Sequence, residues 1–229
     1  MTREGDRQLE GSTRERLLDA AERLFAETGY RRASVRSITA AAGCNVASVN
    51  YHFGGKAGLY REVLRRRLGA MRERRLAALA AARPDDLAGT LAAFADAFLA
   101  PLQEGAEGRL TLQLIAREMA DPQLPPGLFR DQLVVPVSQA LAAAMAAAAP
   151  HLPERTVRLC VQSFVGQLLH VVHAHQFAAI KAAAPLPPPA VAELAAHIVR
   201  FTVAAVERLH EEARRGAARD PRPNREGKA

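Results

Sequence analysis

Three observations predict an all-α fold in two parts. Apolar residues recur at helical spacing, alanine and leucine dominate, and no alternating strand-like run lies between turn signals. Between Ser34 and Arg67 the chain encodes two short helices, a tight turn and a longer basic helix, which is a helix-turn-helix pattern. The 229 residues exceed such a unit by about 150, enough for a second helical domain with its own core.

The first helix is expected from about Thr13 to Thr28. The capping box Ser12-Thr13-Arg14-Glu15 opens it, Gly29 closes it, and Leu17, Leu18, Ala21, Leu24 and Phe25 form its buried stripe. Ser34 caps the second helix, which buries Val35, Ile38, Ala41 and Ala42 and stops at Gly43. Asn45 caps a third, Val46 to Phe53, too short to be stable without packing partners. Its Val49 and Phe53 lie four apart and face the core, which leaves Val46, Ala47, Ser48, Asn50 and Tyr51 on a small, uncharged face suited to base edges. Gly54 and Gly55 break that helix. Lys56 then starts a fourth, running through Leu59, Val63, Leu68 and Met71, where its ammonium can meet a phosphate.

Charge points the same way. Residues 1–75 hold 16 Lys and Arg against 9 Asp and Glu, while residues 76–229 hold 15 of each, so the whole net charge of +7 sits in the N-terminal third. A localised positive field attracts the DNA backbone and gives salt-dependent affinity. Arg31, Arg32, Arg36 and Lys56 are the favoured contacts; several of Arg65, Arg66, Arg67, Arg72, Arg74 and Arg75 form a solvated face.

Thr13 to Leu64 resembles the DNA-binding domain of the TetR family of bacterial transcriptional regulators. The most specific stretch is Ala42-Gly43-Cys44-Asn45-Val46-Ala47-Ser48-Val49-Asn50-Tyr51-His52-Phe53, followed by Lys56 and Leu59. Asn45 to Phe53, with Gly54-Gly55-Lys56 and Leu59-Tyr60 after it, is most similar to the subgroup typified by the regulator CecR. The resemblance implies phosphate contacts at Ser34, Ser48, Tyr51 and Lys56, and positions near bases at Arg36, Val46, Ala47 and Asn50. Most relatives have tyrosine where this chain has Asn50, so that side chain bonds a base, a phosphate or nothing; an asparagine can pair bidentately with adenine.

Turn signals divide the remainder into helices near 85–103, 108–120, 127–149, 153–183 and 189–214, with a stiff corner at Pro185 to Pro189. The resulting division is a disordered tail (1–11), a helix-turn-helix DNA-binding domain (12–58), a helical ligand-binding and dimerisation domain (59–214) and a second disordered tail (215–229). The 153–183 helix is apolar nearly all round, and the 189–214 helix carries Val191, Leu194, Ile198, Phe201, Ala205 and Leu209 along one stripe. A second copy can cover both. The resemblance implies the same pairing, a homodimer whose two recognition helices sit about 34 to 36 Å apart on double-stranded DNA with a palindromic operator.

The resemblance also implies an apolar cavity between residues 85 and 183 for a small-molecule effector. Its candidate anchors are Gln113, Arg117, Glu118, Gln162, Gln167, His170 and His173, although Arg117 and Glu118 read more simply as a surface pair. The helix from 56 to 80 links that cavity to the DNA-binding helices. No metal and no cofactor is expected: His170 and His173 share a face but lack a third ligand. Cys44 and Cys160 fit no disulfide or zinc pattern, and Cys44 reads as a semi-buried filler. No stretch reads as a membrane span and the N-terminus reads as no signal peptide, so the protein is expected in the bacterial cytosol, at the nucleoid when DNA-bound. A helical enzyme is disfavoured, since no Gly-x-Ser-x-Gly, phosphate loop or His-Glu-x-x-His is present. Nonspecific DNA packaging is the other alternative.

Overall fold

The computed structural model describes the backbone of residues 3–83, 85–180 and 186–219, and the side chains of 13–83, 85–176 and 186–216. Among these residues there is no strand. The order is α1 (Arg3–Arg32), α2 (Val35–Ala42), α3 (Ala47–Phe53), α4 (Lys56–Ala80), α5 (Leu87–Leu99) with a 3-10 turn at Ala100–Leu102, α6 (Gly105–Ala120), a π turn at Arg130–Val134 leading into α7 (Val135–Ala148), α8 (Glu154–Ile180) and α9 (Pro188–Arg219). The all-helical expectation holds. Part of the Pro185 corner and residues 220–229 of the expected tail lie outside the described residues.

Several expectations need correction, three of them about helix extent and character. Helix α1 begins at Arg3, inside the segment expected to be a disordered tail, so Ser12 and Thr13 lie within a helix and do not start one. Extending a helix through Arg7, Gln8, Leu9 and Glu10, all good helix formers, is easier than nucleating one at Ser12. Helix α9 likewise runs on to Arg219. Finally, Arg130–Ala148 and Pro188–Gly216 are long and apolar enough to cross a bilayer, because their alanine runs carry few charges.

Packing divides the chain into two compact units, residues 1–73 with 100–136, and 74–99 with 137–229. The boundary expected at residue 58 falls inside the first. Its core joins Leu17, Leu18, Ala21 and Phe25 of α1 to Ile38 and Ala42 of α2, Val49 of α3, Leu59, Tyr60, Val63 and Leu64 of α4 and Leu114 of α6. On α2 the buried set is Ile38, Thr39 and Ala42, whereas the expected Ala41 is exposed. Beside this core lies a polar contact between the two helices: Glu22 of α1, only 2% exposed, forms ion pairs with Arg66 and Arg67 of α4, and Arg67 also bonds Glu107 of α6 at 2.8 Å.

Helix α6 is fastened to α1 at a break. Gly29 takes φ 82° and ψ 165°, a conformation in which a side chain is strained, and so interrupts the α1 hydrogen-bond ladder. The carbonyls left over are taken by Arg117, whose Nε donates to Ala26 O at 2.7 Å and Nη2 to Glu27 O at 2.6 Å. Beside it Glu118 is buried, which corrects its reading as part of a surface pair. Its carboxylate accepts the Tyr60 hydroxyl at 2.9 Å and the backbone N–H groups of Gln123 and Leu124.

Proline shapes the π turn. Pro136 offers no N–H to the carbonyl four residues back, that of Gln132, and Arg72 Nη1 donates to that oxygen at 3.3 Å.

Burial, reinforced by the bond to Glu118, holds the Tyr60 phenol well above its ordinary value of 10.0. In the unfolded chain it ionises near the ordinary value, so its stabilisation is complete below about pH 10 and declines as pH rises further. Urea denaturation is expected to show this alkaline loss, up to about 1.4 kcal/mol per pH unit, and Tyr60→Phe should remove that component of the slope.

In the second unit α5 packs on α8 and α9. Asp86 opens α5, its Oδ1 accepting the Gly89 N–H at 2.7 Å. Phe94 meets Phe98 and Phe164 with ring centroids 6.0 and 5.9 Å apart. Helix α8 buries one stripe, Val157, Val161, Phe164, Leu168 and Val171, while Leu159 and Leu169 remain exposed, so one chain alone does not cover it on all sides. The expected α9 stripe also divides: Val191 and Ile198 are buried, whereas Leu194, Phe201, Ala205 and Leu209 are exposed.

Candidate nucleic-acid interface

The first compact unit presents its helix-turn-helix through reciprocal caps and one anchoring side chain. Ser34 Oγ accepts the Ser37 N–H at 3.0 Å while Ser37 Oγ accepts the Ser34 N–H at 3.1 Å, closing a capping box on α2. Asn45 Oδ1 accepts the Ala47 N–H at 2.9 Å and so starts α3. Val49, fully buried, holds α3 down; Phe53 is half-buried, with the Arg14 guanidinium 5.4 Å above its ring.

That anchoring leaves the opposite face open. Val46 is 46% exposed and Tyr51 74%, Ala47 and Asn50 are exposed, and Ser48 is half-buried. Arg36 is exposed on the first turn of α2. Gly54 ends α3 in the left-handed conformation, φ 67°, and donates to Asn50 O. Gly58 then lies so close to the Phe53 carbonyl that a methyl group on it would overlap that oxygen. The paired glycines marked this turn in the sequence; the crowding at Gly58 did not show there.

Lys56, half-buried at the start of α4, lies 4.5 Å from the Tyr30 ring centroid, and its ammonium approaches Arg31 O at 3.5 Å. Burial lowers its pKa. Arg31 itself is exposed and pairs with Asp121 at 3.0 Å, a solvent-screened contact that a phosphate can replace. Arg32 is exposed.

The candidate ligand residues are not gathered in the same way. Gln113, Arg117 and Glu118 belong to the first unit, and the last two are committed to Ala26, Glu27, Tyr60 and the 123–124 backbone. Gln162, Gln167, His170 and His173 belong to the second, where Gln167 donates to Ser163 O at 3.2 Å and the other three are exposed. A cavity of about 230 Å³ in the second unit is lined by the α5 start, Ala148, Ala149, Val206, Glu207 and His210, and by none of the seven. Cys44 and Cys160 are free thiols, half-buried, and burial pushes the Cys160 thiol up. No group of three His, Cys, Asp or Glu side chains suited to a metal occurs among the described residues.

An exposed recognition helix on a buried anchor, in a chain with no strand among its described residues and with its whole net charge in residues 1–75, defines a helix-turn-helix DNA-binding regulator. The chain belongs to the TetR family of bacterial transcriptional regulators. The family model described as "Bacterial regulatory proteins, tetR family" matches residues 17–63, and that described as "Tetracyclin repressor-like, C-terminal domain" matches residues 92–205. The chain is 42% identical over 48 residues to the "Probable HTH-type transcriptional regulator YttP" of Bacillus subtilis, a match spanning 21% of this chain and 23% of that protein. Its fold is similar to that of the fatty acid degradation regulator FadR from Bacillus halodurans, with TM-score 0.63 and 17% identity over 82% of this chain and 97% of that one. It is also similar to the TetR family regulator PfmR from Thermus thermophilus, with TM-score 0.57 and 21% identity over 82% and 97% of the two chains.

Proposed function

We propose that this protein is a homodimeric repressor that binds a palindromic operator and is released by a small-molecule effector. The observation that carries this reading is the uncharged, exposed face of α3, flanked by Ser34, Arg36 and Lys56. Ser48 and Tyr51 join Ser34 and Lys56 in holding phosphates, while Val46, Ala47 and Asn50 lie at base edges with Arg36. The exposed apolar side chains Leu159 and Leu169 of α8, and Leu194, Phe201 and Leu209 of α9, support pairing of two copies through these helices. The sequence from Asn45 to Lys56 supports placement in the CecR-type subgroup. The protein acts in the cytoplasm, without catalysis, cofactor or metal, and Gln113, Gln162, Gln167, His170 and His173 remain candidate effector contacts alongside the committed Arg117 and Glu118.

Selection of genomic fragments by the purified protein at about 0.15 M salt, followed by footprinting, tests this. A palindromic footprint supports it; binding without sequence preference that disappears with added salt sinks it. Lys56→Ala should weaken binding to every DNA and lower the salt slope by about 1. Asn50→Ala should instead change the preferred sequence, and equal losses on all sequences would exclude a base contact.

A further inference from the structure

Arg75, on the part of α4 within the second compact unit, is 7% exposed, in contrast to its reading as part of a solvated face. The two half-buried arginines earlier on the same helix, Arg66 and Arg67, are neutralised by Glu22, Asp19 and Glu107. Arg75 forms no hydrogen bond or ion pair to any described residue, and its Nε is buried without a partner. What it does meet is the Phe98 ring, whose centroid lies 3.9 Å below the guanidinium carbon. The ring face offsets part of the charge but offers no pair of oxygens to the five N–H donors.

Neutralisation by proton loss does not resolve this. Desolvation, with Arg74 pushing the same way, brings Arg75 down to about 10, which leaves it charged at neutral pH. A buried charge without a counter-charge is costly and persists where something else uses it. Phe98 continues into the buried row Phe94 and Phe164, so the cation sits at one end of an apolar, aromatic part of the core.

We infer that Arg75 is the counter-charge for the carboxylate of an amphipathic anionic effector whose apolar part packs along the Phe98, Phe94 and Phe164 row. A carboxylate matches the guanidinium fork bidentately, a geometry that a hydroxyl or an amine does not reproduce. This assignment rests on the ligand-responsive reading above and supplies the chemical class of the ligand.

The test uses the free full-length protein without DNA, so that it does not depend on the operator. Calorimetry compares octanoate, dodecanoate and 4-phenylbutyrate with the corresponding alcohols and amines. The expected result is that at least one carboxylate binds about tenfold or more tighter than its alcohol, that the amines bind least, and that Arg75→Met erases the difference. Arg75→Met should also raise the melting temperature of the ligand-free protein, because it removes an uncompensated buried charge. Equal binding of acid and alcohol, no binding by any acid, or a lowered melting temperature in Arg75→Met would overturn the inference. If the acid binds but leaves operator occupancy unchanged, the carboxylate site stands and the release mechanism falls.

Discussion

Gly58→Ala is expected to lower affinity for operator DNA roughly a hundredfold and to destabilise the first compact unit by about 3 kcal/mol. The added methyl would overlap the carbonyl oxygen of Phe53, and neither partner is a flexible side chain that can swing aside. The strain must be relieved by moving the end of α3 away from the start of α4. That displaces Tyr51, Asn50 and Lys56 relative to one another, which a DNA surface does not tolerate. Gly69 on the same helix is the control, since a methyl there meets nothing within 4 Å. Gly69→Ala should be neutral, or stabilising by up to about 1 kcal/mol through helix propensity. Electrophoretic mobility shifts and urea melts on both variants decide the matter; equal behaviour would mean that crowding at Gly58 does not position the recognition helix.

The second large effect is expected at Glu118. Its carboxylate accepts the Tyr60 hydroxyl and the N–H groups of Gln123 and Leu124 in a buried setting. Glu118→Ala strands all three donors, at a cost of about 3 to 5 kcal/mol. Glu118→Gln keeps one acceptor oxygen but turns a donor toward the backbone N–H groups, and should lose about half as much. A loss below about 1 kcal/mol in Glu118→Ala, within the range of ordinary surface substitutions, would show that water replaces the carboxylate without penalty.

The recognition element was legible in the sequence because its determinants are local. Ser34 reaches three residues to Ser37, Asn45 two to Ala47, and Val49 is set on the inner face by helical spacing alone. The roles of Arg117, Glu118 and Arg75 were not. Glu118 meets Tyr60 across 58 positions of chain, and Arg117 meets Ala26 across 91. In α4 the arginines look alike in sequence, yet what faces each one decides its state: a carboxylate for Arg66 and Arg67, a phenyl ring for Arg75. Helix identity followed from composition, whereas helix ends near residues 3 and 219 depended on how far propagation outruns capping signals.

The unit that carries the recognition helix is assembled from two separated stretches of chain, the second contributing Leu114 to its core and Arg117 to the carbonyls at the Gly29 break. A gene segment ending at residue 58 therefore does not encode a self-sufficient module. Transplanting specificity between relatives by swapping N-terminal segments would pair a native α1 with a foreign α6, so chimaeras of this protein should be joined by matching residues on both stretches rather than at a single crossover.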